Sequence, residues 1–141
     1  MKATIRKIKN NKPVFIKYPN GMRRIYHYND NGQLMYTKSP SGLETWYDDR
    51  RNIIHTRKSD ENRERYYEYD SSNNIIRCYN SSGMEILKHY NSKNLLVHEE
   101  HIDNSQSQRS SYQYWYVYTE DDRLWYSIDS FGNRAIYNQK I

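Results

Sequence analysis

The chain has 141 residues, a length typical of one domain, and only 24 of them are Leu, Ile, Val or Phe. Its 16 Tyr and 3 Trp offset this shortage, because each can bury roughly 150–250 Å² while its polar tip keeps a partner. The net charge is only +5, which argues against an intrinsically disordered chain. The composition therefore predicts a folded protein with a largely aromatic core.

Composition also excludes several classes of protein. No apolar run approaches the ~18 residues of a membrane helix, and the basic start lacks the apolar stretch of a secretory signal. The single cysteine, Cys78, rules out an intramolecular disulfide and a cysteine-rich metal site. We therefore expect a cytoplasmic protein with no membrane partner, no cofactor and no bound metal.

The first predicted element is a basic β-hairpin at residues 1–18. Residues 1–29 contain eight Lys and Arg and no Asp or Glu, so the positive charge is an N-terminal property. Clustered positive charge attracts phosphate groups or acidic protein surfaces, although Lys is also common on edge strands. The candidate binding residues are the bases Lys2, Arg6, Lys7, Lys9, Lys12, Lys17, Arg23 and Arg24, and the aromatic residues Tyr18, Tyr26 and Tyr28, which can stack on nucleobases.

From about residue 19 to residue 141 the chain follows a degenerate hairpin repeat. An anchor Tyr precedes a polar turn and two apolar residues, and the anchors are spaced by 19, 22, 21 and 28 residues. A second turn signal, such as Asn20-Gly21 or Ser82-Gly83, lies between successive anchors. Apolar and polar residues alternate as in strands, and no segment sustains a helical period. The anchors are Tyr28, Tyr47, Tyr69, Tyr90 and Tyr118.

These repeats predict an all-β fold with essentially no helix. One hairpin cannot bury its aromatic face, but hairpins that stack side by side share a continuous face. We expect a single domain, residues 1–141, built as an antiparallel meander of about 10 to 12 strands. The long spacing before Tyr118 marks an insertion, and its polar residues, about 103–111, are predicted to form a flexible loop.

Three of the repeats resemble YD repeats, the β-hairpin motif of bacterial RHS-type wall and toxin proteins. The motif is carried by residues 28–34, 69–75 and 90–95, and the resemblance extends from about Ile16 to Tyr137. It implies hairpins wound side by side into a sheet. Large family members wind dozens of repeats into a shell around a toxin, which five or six repeats cannot do. Small arrays of this kind are associated with phage and mobile-element genes, which implies an inhibitor of a host defence enzyme.

The histidines were the main candidates for chemistry. A pair drawn from His27, His55 and His89 can act as general acid and base in RNA cleavage, but the spacing fixes no mutual geometry. In the segment His98–His101 neighbouring side chains alternate between sheet faces, so they do not converge on a metal. We interpret this segment as a solvated strand end and predict a non-enzymatic protein with no catalytic or metal-binding residues.

Four functions remain open. We favour a non-enzymatic interaction module, a small inhibitor that binds a protein or a protein–RNA effector such as a CRISPR nuclease. The alternatives are a single-stranded nucleic-acid-binding protein that uses the basic hairpin, a glycan-binding module with exposed Tyr and Trp, and a histidine nuclease. The sequence does not fix the oligomeric state.

Overall fold

The computed structural model describes residues 5–137, and for Ile5 and Arg6 it describes the backbone alone. Within this range thirteen strands form one antiparallel sheet, in which neighbours in sequence are neighbours in the sheet from β1 to β13. The strands are β1 Ile5–Lys9, β2 Lys12–Lys17, β3 Arg23–Tyr28, β4 Leu34–Lys38, β5 Glu44–Tyr47, β6 Ile53–Lys58, β7 Arg63–Tyr69, β8 Ile75–Asn80, β9 Met84–Tyr90, β10 Leu96–Asp103, β11 Ser110–Tyr118, β12 Leu124–Asp129 and β13 Arg134–Ile136.

The predicted all-β meander is confirmed, and the predicted strand number was too low. The estimate of about 10 to 12 strands rested on a ~21-residue unit. The short strand β13, at Arg134–Ile136, pairs with β12 and brings the number to thirteen. The helical part of the described chain is a single 3₁₀ turn at Ser59–Glu61. That part of the chain contains no helix with the length and apolarity to cross a membrane.

Contacts along the backbone divide the chain into two compact units, Met1–Tyr66 and Tyr67–Ile141. The first unit contains β1 to β6 and the beginning of β7, and the second contains the rest of β7 and the remaining strands. The arrangement as a single domain stays a prediction.

Most of the hairpin turns share one backbone geometry. At Asp70 the backbone N–H donates to the Asn74 carbonyl at 3.0 Å, and the Asn73 N–H donates back to the Asp70 carbonyl at 3.2 Å. Asn73 has a φ of 64°, as expected after a type I turn that ends in a bulge. The Asp70 carboxylate accepts the N–H groups of Ser72 and Asn74, both at 2.9 Å. The same two backbone bonds recur at Tyr18, Asn29, Ser39, Asp48, Asn91, Thr119 and Asp129.

Full burial is rare along this sheet. Among the described residues Ile102, 1% exposed, is the only buried hydrophobic side chain, and no tyrosine is fully buried. The anchor hydroxyls of Tyr28, Tyr90 and Tyr118 donate to main-chain carbonyls at 3.0, 2.8 and 2.7 Å. The expected aromatic core is therefore a set of half-buried rings whose polar tips are tied to the backbone of an earlier strand.

The insertion before Tyr118 lengthens two strands instead of forming a nine-residue loop. The predicted loop of about residues 103–111 is limited to residues 104–109, because Asp103 ends β10 and Ser110 begins β11. These strands have eight and nine residues and are the longest of the described chain. The Asn104 N–H donates to the Gly83 carbonyl at 2.9 Å, which ties the loop to the β8–β9 turn. The flexibility of the loop stays a prediction.

Candidate functional site

The basic hairpin predicted at residues 1–18 is formed by β1 and β2. Asn10 and Asn11, with φ of 51° and 60°, make a two-residue turn between Lys9 and Lys12, which face each other across the hairpin. Lys2 lies outside the described residues, and Arg6 is described by its backbone alone.

The strands β2 and β3 pair over only part of their length. The register between them consists of three pairs, from Lys17 opposite Arg23 to Phe15 opposite Ile25. From Lys12 to Val14 no residue of β2 is paired with β3, and from Tyr26 to Tyr28 no residue of β3 is paired with β2. The two strands therefore diverge towards the β1–β2 turn.

A cleft of about 740 Å³ opens where these strands diverge. Five of the predicted binding residues line it: Lys7, Lys9, Lys12, Tyr26 and Tyr28. Its volume falls within the range of roughly 300–1,000 Å³ that is usual for ligand sites. Val14, Phe15, His27 and Asp30 also line the cleft; the sequence named His27 as a candidate for catalysis and none of the four as a binding residue.

Lys12 and Tyr28 hold the cleft in shape. The Lys12 ammonium lies 5.2 Å from the centre of the Tyr28 ring and donates a hydrogen bond to the Gly32 carbonyl. The Tyr28 hydroxyl donates to the Pro13 carbonyl across the gap at 3.0 Å, and burial raises the pKa of this hydroxyl. Both side chains are thus already engaged, and they connect the hairpin to the β3–β4 turn.

Lys7 and Lys9 are exposed cations at the rim of the same cleft. Neither forms an ion pair with another described residue. The Asp30 carboxylate lies at the opposite side, in the β3–β4 turn, and among residues 5–137 it has no basic partner either. The cleft therefore combines a basic rim along β1 with one acidic group from the β3–β4 turn.

The remaining predicted residues of the hairpin region lie apart from this cleft. Lys17 faces Arg23 across the β2–β3 pair, and the Arg23 guanidinium lies 5.5 Å from the centre of the Phe15 ring. Arg24 faces Ile16 on the opposite side of the sheet, since neighbouring side chains alternate. Tyr18 begins the β2–β3 turn through its backbone. None of these four lines the cleft.

A ladder of aromatic rings crosses β3 to β7, and the sequence analysis missed it. Its five rings belong to residues that face one another in register on consecutive strands. Successive ring centres are 5.0, 5.1, 4.3 and 4.3 Å apart, close to the ~4.8 Å spacing of strands. The rings, in order, are those of His27, Tyr36, Trp46, His55 and Tyr66.

A row of alternating charges runs beside this ladder. It consists of Lys38, Glu44, Arg57 and Glu64, which are also opposite one another on consecutive strands. Glu44 is 7% exposed, and its carboxylate accepts the Tyr36 hydroxyl at 2.7 Å and the Arg57 Nε–H at 2.9 Å. The hydrogen bond from Tyr36 lowers the pKa of Glu44 despite its burial. Burial and the neighbouring carboxylate raise the pKa of Tyr36 to about 12.

The histidines considered for catalysis are members of ring stacks. His55 lies between Trp46 and Tyr66, and its Nε2 is 2.7 Å from the Glu64 carboxylate. His89 stacks on His98 with ring centres 5.2 Å apart. These stacks explain why histidines alternate with the other aromatic residues along the chain. The histidine nuclease stays a hypothesis.

The segment His98–His101 is not a solvated strand end. It lies within β10, and Glu99 is 9% exposed. The Glu99 carboxylate is 3.0 Å from His101 Nε2, 3.1 Å from Lys88 Nζ and 3.0 Å from the Tyr116 hydroxyl. Burial acts to raise the pKa of Glu99, but these partners together lower it. Among the described residues no three His, Cys, Asp or Glu side chains are grouped closely enough to hold a metal ion.

Comparison with known proteins gives a likeness of fold. No protein-family model matches the chain, and no curated protein sequence matches it. The crystal structure of TcdB2-TccC3-Cdc42 matches 85% of this chain with a TM-score of 0.55 and 17% identity. That of TcdB2-TccC3-TEV matches 87% with a TM-score of 0.56 and 9% identity. The chain spans 8% of the length of either matched chain. TcdB2-TccC3 is an RHS/YD-repeat toxin complex, and the likeness shows a related β-repeat fold.

Proposed function

We propose that the protein is a non-enzymatic interaction module that binds an acidic protein or protein–RNA effector through its N-terminal hairpin. The observation that carries the proposal is the uncompensated charge of this region. Lys7, Lys9, Arg23 and Arg24 form no ion pair with another residue of the described chain. In the row beside the aromatic ladder, by contrast, Lys38 and Arg57 share the Glu44 carboxylate, at 3.9 and 2.9 Å.

Uncompensated charges of one sign favour association with a partner of opposite sign. They repel one another in the free protein, and a negatively charged surface relieves this repulsion while it accelerates the encounter. A strand edge that merely needed protection from unwanted pairing would require fewer cations than the eight that residues 1–29 contain. A binding surface is the better explanation of this excess.

In its narrowest form, carried over from the resemblance to YD repeats, the proposal describes an inhibitor of phage or mobile-element origin. Its target is then a defence effector, such as a CRISPR nuclease, whose acidic groove or guide RNA faces the basic hairpin. Exposed rings such as that of Tyr112, which is 38% exposed, support a protein-facing sheet, since Tyr combines contact area with a hydrogen-bonding group.

Affinity capture with matched charge-reversal variants tests the proposal. The variants Lys7→Glu/Lys9→Glu and Arg23→Glu/Arg24→Glu change the hairpin region, and Arg51→Glu/Arg65→Glu changes two exposed arginines elsewhere in the first unit. We expect one host protein to be retained by the wild type and by the control but at least about 10-fold less by both hairpin variants. Purified components should then form a complex in size-exclusion chromatography. Retention of the same proteins by all variants would contradict the proposal.

A further inference from the structure

The aromatic ladder ends at an exposed ring inside the cleft. A ring in the middle of the ladder, such as that of His55, is covered on both faces by neighbours 4.3 Å away. His27 differs, because among the described residues Tyr36 is the only ring in contact with it. The His27 side chain is exposed and lines the cleft. Tyr36 lies on β4, so the open face of His27 is directed towards β2, where the strands diverge.

An open ring face at the end of a stack favours a planar aromatic ligand. A nucleobase has two flat faces, and stacking on a protein ring contributes about 1–3 kcal/mol for each base. Phe15 also lines the cleft and is in register with Ile25, which shares a sheet face with His27, so its ring adds apolar surface from which a base excludes water. Tyr28 is a poorer platform than the sequence suggested, because its ring already carries the Lys12 ammonium.

The charges of the cleft favour a ligand that is both planar and anionic. Lys7 and Lys9 border it from β1 and have no acidic partner in the described chain. Asp30 borders it from the β3–β4 turn and repels phosphate there, so phosphates are favoured beside Lys7 and Lys9 on β1. A purely acidic peptide would use the lysines but leave the open face of His27 without a stacking partner.

We propose that the cleft binds single-stranded nucleic acid, with one base stacked on His27 and the adjoining phosphates on Lys7 and Lys9. An unpaired base can stack on the open face of the His27 ring, whereas the bases of a duplex are covered by their neighbours in the stack. The proposal rests on the same hairpin as the proposed function, and it specifies that the effector presents an unpaired RNA segment to this cleft.

Fluorescence anisotropy with labelled oligonucleotides tests the site without any protein partner. The probes are 12-nucleotide oligouridylate, 12-nucleotide oligothymidylate and a 12-base-pair duplex, titrated with the full chain between 50 and 200 mM KCl. We expect both single strands to bind more tightly than the duplex.

The variants separate the two parts of the site. Lys7→Gln/Lys9→Gln should reduce the slope of log K against log salt by about 1.4, because each phosphate contact on a single strand contributes about 0.7. Arg51→Gln/Arg65→Gln is the matched control and should leave the slope unchanged. His27→Ala should weaken binding about 5-fold or more, and His27→Tyr, which keeps a ring, should restore it. Circular dichroism checks that each variant keeps the β-sheet spectrum.

The outcomes are distinct from those of the capture experiment. Equal losses for the lysine pair and the arginine control would overturn the site, as would tighter binding of a poly-glutamate peptide than of the oligonucleotides. If His27→Ala binds the oligonucleotides as tightly as the wild type, no base stacks on His27. If the oligonucleotides bind as expected but no host protein depends on the hairpin, the site stands and the proposed effector function fails.

Discussion

The N-terminal hairpin and the strands β4 to β7 place similar charged residues in opposite situations. In β4 to β7 the cations Lys38 and Arg57 face carboxylates across the strands, and the buried Glu44 is fully partnered. In the hairpin Lys7 and Lys9 border an open cleft and form no ion pair with another described residue. The cross-strand neighbour, more than the residue type, therefore decides whether a charge maintains the sheet or remains available to a partner.

Removal of the Glu44 carboxylate should have the largest effect on stability. Glu44→Ala leaves the half-buried Tyr36 hydroxyl and the Arg57 guanidinium without their acceptor, and we expect the free energy of unfolding to fall by about 2 to 3 kcal/mol. Lys7→Ala should change it by less than about 0.5 kcal/mol, since the exposed Lys7 has no ion-pair partner in the described chain. Urea denaturation followed by circular dichroism measures both. Equal losses of unfolding free energy for the two variants would show that the paired and unpaired charges contribute alike to stability.

The Glu44 network should also make stability depend on pH. The folded pKa of Glu44 lies below its ordinary value of 4.5, so its contribution is present above that value and is lost as pH falls through the folded pKa. Tyr36 acts at the other end, because its pKa of about 12 lies above the ordinary value of 10.0. Its contribution is complete below pH 10.0 and is lost as pH rises towards 12.

Denaturation midpoints between pH 6 and pH 3 provide the acid test of this network. Glu44→Gln should show a shallower loss of stability on acidification than the wild type, whereas Lys7→Gln should follow the wild type. A variant curve parallel to that of the wild type would show that Glu44 is not protonated preferentially in the unfolded state.

The anchor hydroxyl beside the cleft offers a smaller test. Tyr28→Phe removes the hydrogen bond to the Pro13 carbonyl and should lower the free energy of unfolding by about 1 kcal/mol. Tyr26→Phe is the matched control, because the Tyr26 hydroxyl forms no hydrogen bond within the described residues. It should change stability by less than about 0.5 kcal/mol. The same urea titrations detect the difference. A larger loss of stability for Tyr26→Phe than for Tyr28→Phe would contradict the hydrogen bond assigned to Tyr28.

The smallest expected difference is that between two turn glycines. Gly21 and Gly32 have φ of 80° and 76°, so an alanine at either position costs about 1 kcal/mol of backbone strain. A Cβ at Gly21 meets open space, whereas one at Gly32 would lie 2.8 Å from the Lys12 ammonium. Gly32→Ala should therefore also weaken oligonucleotide binding by displacing Lys12, and Gly21→Ala should not. Anisotropy at one salt concentration compares them.

The turns explain why the sequence revealed the sheet so well. In four of the five repeats an Asp or Asn follows the anchor Tyr and accepts N–H groups of its own turn, so these repeats mark a hairpin by local chemistry. Two of these turns lack the usual residue at the positive-φ position, since Arg51 and Asp122 adopt φ of 68° and 62° without being Gly or Asn. An Arg or Asp at this position does not by itself indicate a turn, so only the spacing of the repeats predicts these two turns.

The sequence analysis found neither the cleft nor the aromatic ladder, because both depend on the register between strands. His27 faces Tyr36 only because the β3–β4 turn and a bulge after His27 set the alignment, and a slip of one residue would reverse every side chain. The sequence correctly indicated a basic hairpin, but not that β2 and β3 separate beyond Phe15. The signal that could have found the ladder is the position of each ring relative to its turn.

The strictly sequential pairing of strands has a consequence for how the chain reaches its structure. Every strand finds its partners next to it along the chain, so each hairpin closes a loop of only a few residues and loses little chain entropy in doing so. Hairpins form in about 1–10 μs, and any one of them can serve as the template on which the next is added. Folding can therefore begin while the chain is still being synthesised, from its first completed hairpins, without waiting for residues that are distant in sequence.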